Sequence, residues 1–316
     1  MRGPAKAVQG GLQVAGEGVE TWRGGVSPWQ CDQMGHMNVR FYVAYAMEAL
    51  AGLAGGLGMP RAFAPRGGST LIVREHHIRF LREARAGDGL HMTVGMLQMA
   101  ESEAGTLQLM LHSDSGQPSA VFHTRLAHAR AADGQPFPWS RGAIERAGGL
   151  MVEVPEGLSP RSLEPGRGRT GASLRQAEAL GMNRYGAGLF GPEDCDAFGR
   201  VDASRIMGRL ADGSAHEVAS VRQAVGESVG VAVVEYRLTY LDWPGAGDRF
   251  DIRSGLKQVE PRRLGFEHWV LDPESGRPWV VAEAVLLPFD LEARKGLTLS
   301  EPALAALRTT LAGLQT

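Results

Sequence analysis

Residues Trp29–Leu50 read WQCDQMGHMNVRFYVAYAMEAL. Within seven positions the stretch gathers a carboxylate (Asp32), a glycine (Gly35), an imidazole (His36) and a carboxamide (Asn38), and an apolar run with helical spacing follows at once. Burying polar groups at the start of an apolar helix costs free energy, so these side chains either cap the helix or carry chemistry. Asp and Asn are both preferred at helix N-termini, and the motif alone leaves the two readings open.

The same pattern returns later in the chain. Asp32 sits in CDQMGHMN and Asp196 in CDAFGRVD, 164 positions on. Further along, EHHIRFLREARAGDGLHMTVGM from Glu75 lines up with EYRLTYLDWPGAGDRFDIRSGL from Glu235, an offset of 160, so the second copy is four residues shorter between motif and strand. The same offset carries Gly87–Asp88 onto Gly247–Asp248, Gly95 onto Gly255, Gln98 onto Gln258 and SGQP (Ser115–Pro118) onto SGRP (Ser275–Pro278). A register held over so many positions marks a tandem repeat of one fold.

Each copy predicts the same elements. A short strand over Gly24–Trp29 leads into the polar motif, and a helix runs from Val39 to Leu53. A strand over Thr70–Leu81 puts His76, Ile78 and Phe80 on one face, matched by Tyr236, Leu238 and Tyr240. A GD turn, strands over Leu90–Gln98 and Thr106–Ser113, a DSGQP hairpin and a strand over Ser119–Arg130 complete the unit. One helix followed by antiparallel strands is an α+β unit. The expected organisation is a flexible leader (1–20), a first unit (21–140), a linker rich in Pro, Gly and Arg with room for one short helix (141–184), and a second unit (185–316). The second unit ends in a helix capped by Ser300, with Glu301 and Pro302 in its first turn.

Composition narrows the function. The chain of 316 residues is 43% hydrophobic and 22% charged with a net charge of −2 and no strongly basic run, which argues against nucleic acid as a partner. Its longest apolar runs fall far short of the ~18–20 residues of a membrane span, and the leader lacks the apolar core of a signal peptide. Cys31 and Cys195 make neither a disulfide framework nor a zinc set, so a cytoplasmic protein is expected. No Walker loop and no G-x-S-x-G elbow is present; AGGLG (Ala54–Gly58) reads as a helix stop. Glu75, His76 and His77 are adjacent on a strand and point to alternate faces, so no metal site is expected.

A D-x-x-G-H-x-N segment opening a long helix, followed by strands carrying GD, resembles the hotdog-fold acyl-CoA thioesterases of the 4-hydroxybenzoyl-CoA thioesterase type. The match covers roughly residues 20–135 and 185–295, and two fused copies resemble double-hotdog thioesterases, in which one chain imitates a dimer. The resemblance implies a long helix wrapped by a curved antiparallel sheet, with the acyl chain buried at the seam between the units and the pantetheine arm entering from the surface. It implies hydrolysis of an acyl-CoA or acyl-ACP thioester, with Asp32 as general base on water or as nucleophile, the general base being favoured. His36 and Asn38 would orient the water, donate to the carbonyl or fix the helix start. The helix N-terminus would polarise the thioester carbonyl, and Gly35 would let the backbone approach the ligand.

Met37 and Tyr42 are assigned to the substrate wall. Glu48 on the helix and His76 on the strand join them as substrate-binding candidates, against competing readings of a paired surface glutamate and a satisfied core histidine. In the second copy Asp196 and Gly199 remain, but Arg200 replaces the histidine and Asp202 the asparagine. Arg200 either pairs with an aspartate, lowering its basicity, or binds a CoA phosphate. One competent site at the first motif and a degenerate second site (Asp196, Gly199, Asp202) are therefore expected. No cofactor is expected, CoA being part of the substrate; the partner is a small-molecule acyl thioester, with an acyl carrier protein and pairing of chains left open. Two alternatives compete: a hotdog enoyl-CoA hydratase, whose Asp and His follow a D-x-N/D-x-x-x-H pattern unlike the spacing here, and a non-catalytic acyl-CoA binding or regulatory protein.

Overall fold

The computed structural model describes residues 18–164, 171–226, 229–290, 292 and 295–314; residues 1–17 of the expected leader and 165–170 of the expected linker lie outside them. In the first repeat, β1 (Val19–Gly25) leads through a 3₁₀ turn to α1 (Val39–Gly56), and four strands follow: β2 (Ser69–Phe80), β3 (Gly89–Met99), β4 (Glu103–His112) and β5 (Pro118–Arg130). The helices α2 (Arg141–Gly148) and α3 (Leu174–Ala179) connect to the second repeat. That repeat comprises β6 (Asn183–Leu189), α4 (Ala203–Val225), β7 (Val229–Tyr240), β8 (Arg249–Glu260), β9 (Arg263–Leu271), β10 (Pro278–Asp290), the short β11 (Lys295–Gly296) and α5 (Glu301–Arg308). β1 ends earlier than the expected strand because Pro28 and Trp29 enter the 3₁₀ turn, where a proline without an N–H fits the first position.

The strands form one antiparallel sheet in the order β1-β3-β4-β5-β2-β7-β10-β9-β8-β6, with β11 on β10. Its middle is the seam between repeats. β2 and β7 pair from Glu75↔Thr239 to Arg79↔Glu235 with His77 opposite Arg237, a register that reads the same in either direction. A pseudo-twofold axis therefore passes through that central pair, as in a dimer of identical units. A β-bulge interrupts each seam strand at equivalent points, Arg74 against β5 and Val234 against β10.

The two long helices pack against each other. On α1, Tyr42, Val43, Ala46, Ala49, Leu50 and Leu53 recur at helical spacing and are buried in a core shared with Ile206, Met207 and Leu210 of α4. α1 runs to Gly56, and Gly58 follows at φ 84°, the left-handed conformation that terminates helices. On α4, Gly213 admits the ring of Tyr185: a Cβ there would lie 2.0 Å from Tyr185 Cε1.

The stretch read as linker opens with part of the repeat. The offset of 160 carries α2 onto α5, and the serine caps Ser140 and Ser300 correspond. Behind each helix the chain runs as a strap along the sheet, bridging Met96 to Met151 and Leu256 to Leu311. Gly95 and Gly255 lie beneath these straps, where a Cβ would meet Val152 Cγ1 at 2.3 Å and Ala312 Cβ at 2.7 Å. The first strap accounts for a departure from strand alternation: His77 faces away from α1 and is nevertheless buried, against the Glu235 carboxylate that also takes N–H groups of the strap.

Candidate active site

The first motif folds into a closed turn. Asp32 N donates to His36 O at 2.8 Å and Gly35 N to Asp32 O at 3.0 Å, while Met37 N donates to Ala84 O at 2.7 Å and ties the turn to the segment after β2. Gly35 has φ 79°, and a Cβ there would meet no protein atom within 4 Å. The backbone conformation, rather than crowding, is what calls for glycine. Asp32 Oδ1 accepts from Met34 N at 2.8 Å and His36 N at 3.1 Å, the local capture typical of an Asx turn. Oδ2 has no hydrogen bond among the described residues.

Asn38 is the N-cap of α1, its Oδ1 accepting from Arg40 N at 3.0 Å. The N–H groups of Gln33 and Val39 have no hydrogen-bond partner among the described residues. The His36 ring turns to Glu83, with Nε2 at 3.0 Å from Oε2, and Arg85 donates to the same oxygen at 2.9 Å.

Asp32, His36, Asn38 and Val39 line a cavity of about 510 Å³ that enters the seam, and Met37 and Tyr42 line it as well. The Tyr42 hydroxyl is raised above its ordinary pKa by burial and accepts from Ala84 N at 3.2 Å. The far wall belongs to the other repeat. Met207, Leu210, Ala211, Ser214, Val218 and Arg222 form one stripe of α4, whose fifteen-residue span at 1.5 Å per residue is about 22 Å. Val231, Val233 and Tyr236 of β7 and Leu286 of β10 complete an apolar trough. His268 also lines it; complete burial pulls its pKa down to about 3, so it stands there as a neutral ring.

The second motif repeats the turn, with Asp196 Oδ1 accepting from Phe198 N at 2.8 Å and Arg200 N at 3.0 Å, and Gly199 at φ 79°. Its other oxygen is taken. Arg200 donates to Asp196 Oδ2 through Nε at 3.2 Å and Nη2 at 3.1 Å while stacking on Phe198. Asp202 caps α4 through Ser204 N at 2.8 Å. This motif lines a second cavity, of about 490 Å³, whose α1 wall runs from Ala44 to Ala51, about 10 Å.

The structure brings Asp32, His36, Met37, Asn38 and Tyr42 together along the first cavity, whereas Gly35 lies in the same turn without lining it and serves the turn's left-handed backbone. Glu48 is elsewhere: it lines the second cavity and accepts from Trp22 Nε1 at 2.8 Å. His76 lines neither cavity. It is fully buried, its Nδ1 lies 3.0 Å from the Tyr240 hydroxyl, and burial lowers its pKa to about 3. Sequence reasoning missed Glu83 and the α4 stripe. Glu83 stands in LREARAGD with no periodicity to mark it; the stripe could have been found by asking which α4 face lies opposite the first motif. Among the described residues no three His, Cys, Asp or Glu side chains converge as metal ligands, and no helix is long and apolar enough to cross a membrane.

A sequence model of the thioesterase-like superfamily matches residues 26–147 and 190–307, one segment for each repeat. Comparison with curated proteins finds no match. Solved structures of similar fold include a Lactobacillus plantarum protein assigned as an oleoyl thioesterase (13% identity, TM-score 0.63, covering 91% of this chain and 99% of that one). An acyl-ACP thioesterase from Bacteroides thetaiotaomicron (11% identity, TM-score 0.61, covering 84% and 96%) and the 12:0-ACP thioesterase from Umbellularia californica (11%, 0.57, 85% and 93%) share it. At these identities the likeness concerns the fold: two hotdog units in tandem, forming a pseudo-dimer. With the family matched across both repeats, the chain belongs to the thioesterase-like superfamily and is a thioester hydrolase.

Proposed function

We propose that the protein hydrolyses long-chain acyl thioesters in the cavity behind Asp32, with that residue as general base. The acyl chain lies along the α4 stripe, and the thioester sits at the mouth beside the start of α1. Asp32 Oδ2 takes a proton from water as the water attacks the carbonyl carbon. Charge that builds on the carbonyl oxygen is met by the Val39 N–H, a first-turn donor at the positive end of α1. Collapse of the tetrahedral intermediate expels the thiolate, which takes the proton from Asp32 and restores the base. Glu83 holds the His36 ring aside, so His36 serves chiefly through its backbone N–H, which orients Asp32, and Asn38 serves as the cap. The relatives named for oleoyl and 12:0-ACP substrates support a long acyl chain.

One observation carries this reading: of two equivalent aspartates, one has an uncommitted oxygen at an apolar trough and the other is bound by arginine. The test is a panel of acyl-CoA and acyl-carrier-protein thioesters of several lengths with a thiol reagent, run on wild type, Asp32→Asn and Asp196→Asn. Thiol release lost in the first variant and kept in the second is expected; equal loss in both would overturn the assignment.

A further inference from the structure

Two hydroxyl groups grip the segment after β2 on either side of Glu83. The Tyr42 oxygen accepts from Ala84 N at 3.2 Å. Ser119 Oγ donates to Arg82 O at 2.8 Å and lies 3.4 Å from the Tyr42 oxygen. Tyr42, Ala84 and Ser119 are all buried, where a low dielectric strengthens such bonds. The gripped segment touches the Asp32 turn twice. Ala84 O accepts from Met37 N at 2.7 Å, and Glu83 Oε2 lies 3.0 Å from His36 Nε2.

The second repeat keeps the backbone half of this arrangement and lacks the side-chain half. Ser119 O accepts from Leu81 N and Arg82 N at 2.8 and 3.2 Å, and Trp279 O accepts from Leu241 N and Asp242 N at the same distances. Val201 N donates to Pro244 O at 2.8 Å, as Met37 N does to Ala84 O. The offset of 164 carries Tyr42 onto Ile206, and the offset of 160 carries Ala84 onto Pro244 and Ser119 onto Trp279. Neither hydroxyl has a counterpart there, and proline lacks the N–H that the Tyr42 oxygen holds. Removing both partners of a buried hydrogen bond leaves no orphan, whereas removing one does. The hydroxyl and the N–H therefore form one unit, present beside Asp32 and absent beside Asp196.

We infer that Tyr42, with Ser119, is a positioning residue: it fixes the Glu83 segment against the Asp32 turn and so keeps the His36 ring off the second carboxylate oxygen. The inference rests on the reading of Asp32 as general base and adds what keeps that base available. His36 and Arg200 hold equivalent places, and Arg200 reaches Asp196 Oδ2 through Nε at 3.2 Å. Histidine Nε2 stands as many bonds from its Cα as arginine Nε does. A His36 ring released by Glu83 therefore has the reach to donate to Asp32 Oδ2, as the guanidinium does to Asp196. Tyr42 acts through Glu83 and His36 and takes no part in the bond changes.

The experiment measures kcat and KM for wild type, Tyr42→Phe, Ala84→Pro and the two combined, each with and without His36→Ala. The substrate is the acyl thioester that wild type turns over fastest. Pro244 shows that this backbone position takes proline with its carbonyl bond kept, and the combined variant reproduces the apolar pairing of the second repeat. Each single variant should lose about fivefold in kcat, the size of one net hydrogen bond, with a smaller change in KM. The combined variant should lose no more than either single one, and in the His36→Ala background the losses should shrink to about twofold or less. Unchanged kcat in both single variants would overturn the inference, as would losses that add. Losses that persist in full without the His36 ring would also overturn it, by showing that the hydroxyl acts on the substrate itself. A second measurement needs no turnover: the NMR signals of the His36 ring, identified by their absence in His36→Ala, should move in Tyr42→Phe and Ala84→Pro alike. Unmoved signals would sink the positioning role. Thiol release by Asp32→Asn reads the base and the ring signals read the grip, so either reading can fail without the other.

Discussion

Asp32 and Asp196 occupy the same position in the same turn, each with Oδ1 held by two backbone N–H groups and each just ahead of a capped helix. They differ in one neighbour. The residue four positions on is His36 in the first turn, drawn aside by Glu83, and Arg200 in the second, folded back onto the carboxylate. A carboxylate holding a guanidinium must release it before it can take a proton from water. Glu83 corresponds by the 160 offset to Trp243, so no acid stands there to draw Arg200 aside as Glu83 draws His36. The cavities diverge in parallel, one extending about 22 Å along α4 and the other about 10 Å along α1. Duplication thus preserved the turn as a structural unit while changing what its second carboxylate oxygen meets.

The sharpest test of that difference is Asp32→Asn, which keeps both turn hydrogen bonds through the amide oxygen and removes the base. Turnover should fall by about 10²–10⁴-fold, with melting temperature within a few degrees of wild type, while Asp196→Asn should change kcat by less than about threefold. Next in size is Val39→Pro. The first helical position accepts proline, and Asn38 already has the extended backbone (φ −62°, ψ 139°) that a following proline requires. The substitution therefore deletes one N–H with little disturbance of α1. Removal of an oxyanion donor costs about 10²–10³-fold in kcat. Val39→Ala controls for the lost side chain; a proline variant no slower than the alanine one would remove Val39 from the mechanism.

Much of this was legible in the amino-acid sequence, for reasons that particular residues show. The offset between Glu75 and Glu235 survives because strand register and GD turns constrain side chains at fixed spacing, so the tandem α+β architecture could be read directly. The pairing of Arg200 with Asp196 was open to inspection because both lie in one short turn. The equivalence of α2 and α5 was hidden, since RGAIERAG and EPALAALR share little beyond a serine cap and an apolar spacing. His76 illustrates a different limit. Strand alternation placed it on the helix-facing side, but only the packing shows Tyr240 closing over it. The trough, too, is built by α4 of the opposite repeat, which nothing local to the Asp32 motif encodes.

A third variant asks whether the second turn can be restored. In the Asp32→Asn background, Arg200→His removes the guanidinium from Asp196 and reinstates the histidine of the first motif. Because the α1 wall is short, the gain should be confined to short acyl thioesters, at about tenfold over background, the low end of what a positioned base supplies. Gain on long chains as well would mean that wall length does not set substrate size, and the comparison between cavities would have to be redrawn.

The smallest effect concerns stability, at another pair of equivalent acids. Glu75 lies near Arg125 at 3.9 Å, whereas Glu235 binds His77 and the strap. Burial alone would raise the Glu235 pKa, but the His77 contact and the N–H groups of Arg161 and Ser162 outweigh it and hold the group at about 2, against 4.5 for an ordinary glutamate. A carboxyl depressed on folding contributes stability above its unfolded pKa and loses it as pH falls through the folded value. That contribution, on the order of 3 kcal/mol at neutral pH, should therefore fade between about pH 5 and 2. Glu235→Gln should melt several degrees below wild type at pH 7, with the gap closing as pH drops from 5 toward 3, and Glu75→Gln should shift far less. A gap for Glu235→Gln that stays constant through that window would show that the strap is held by packing of Val152 and Leu158 on the sheet, with the carboxylate incidental.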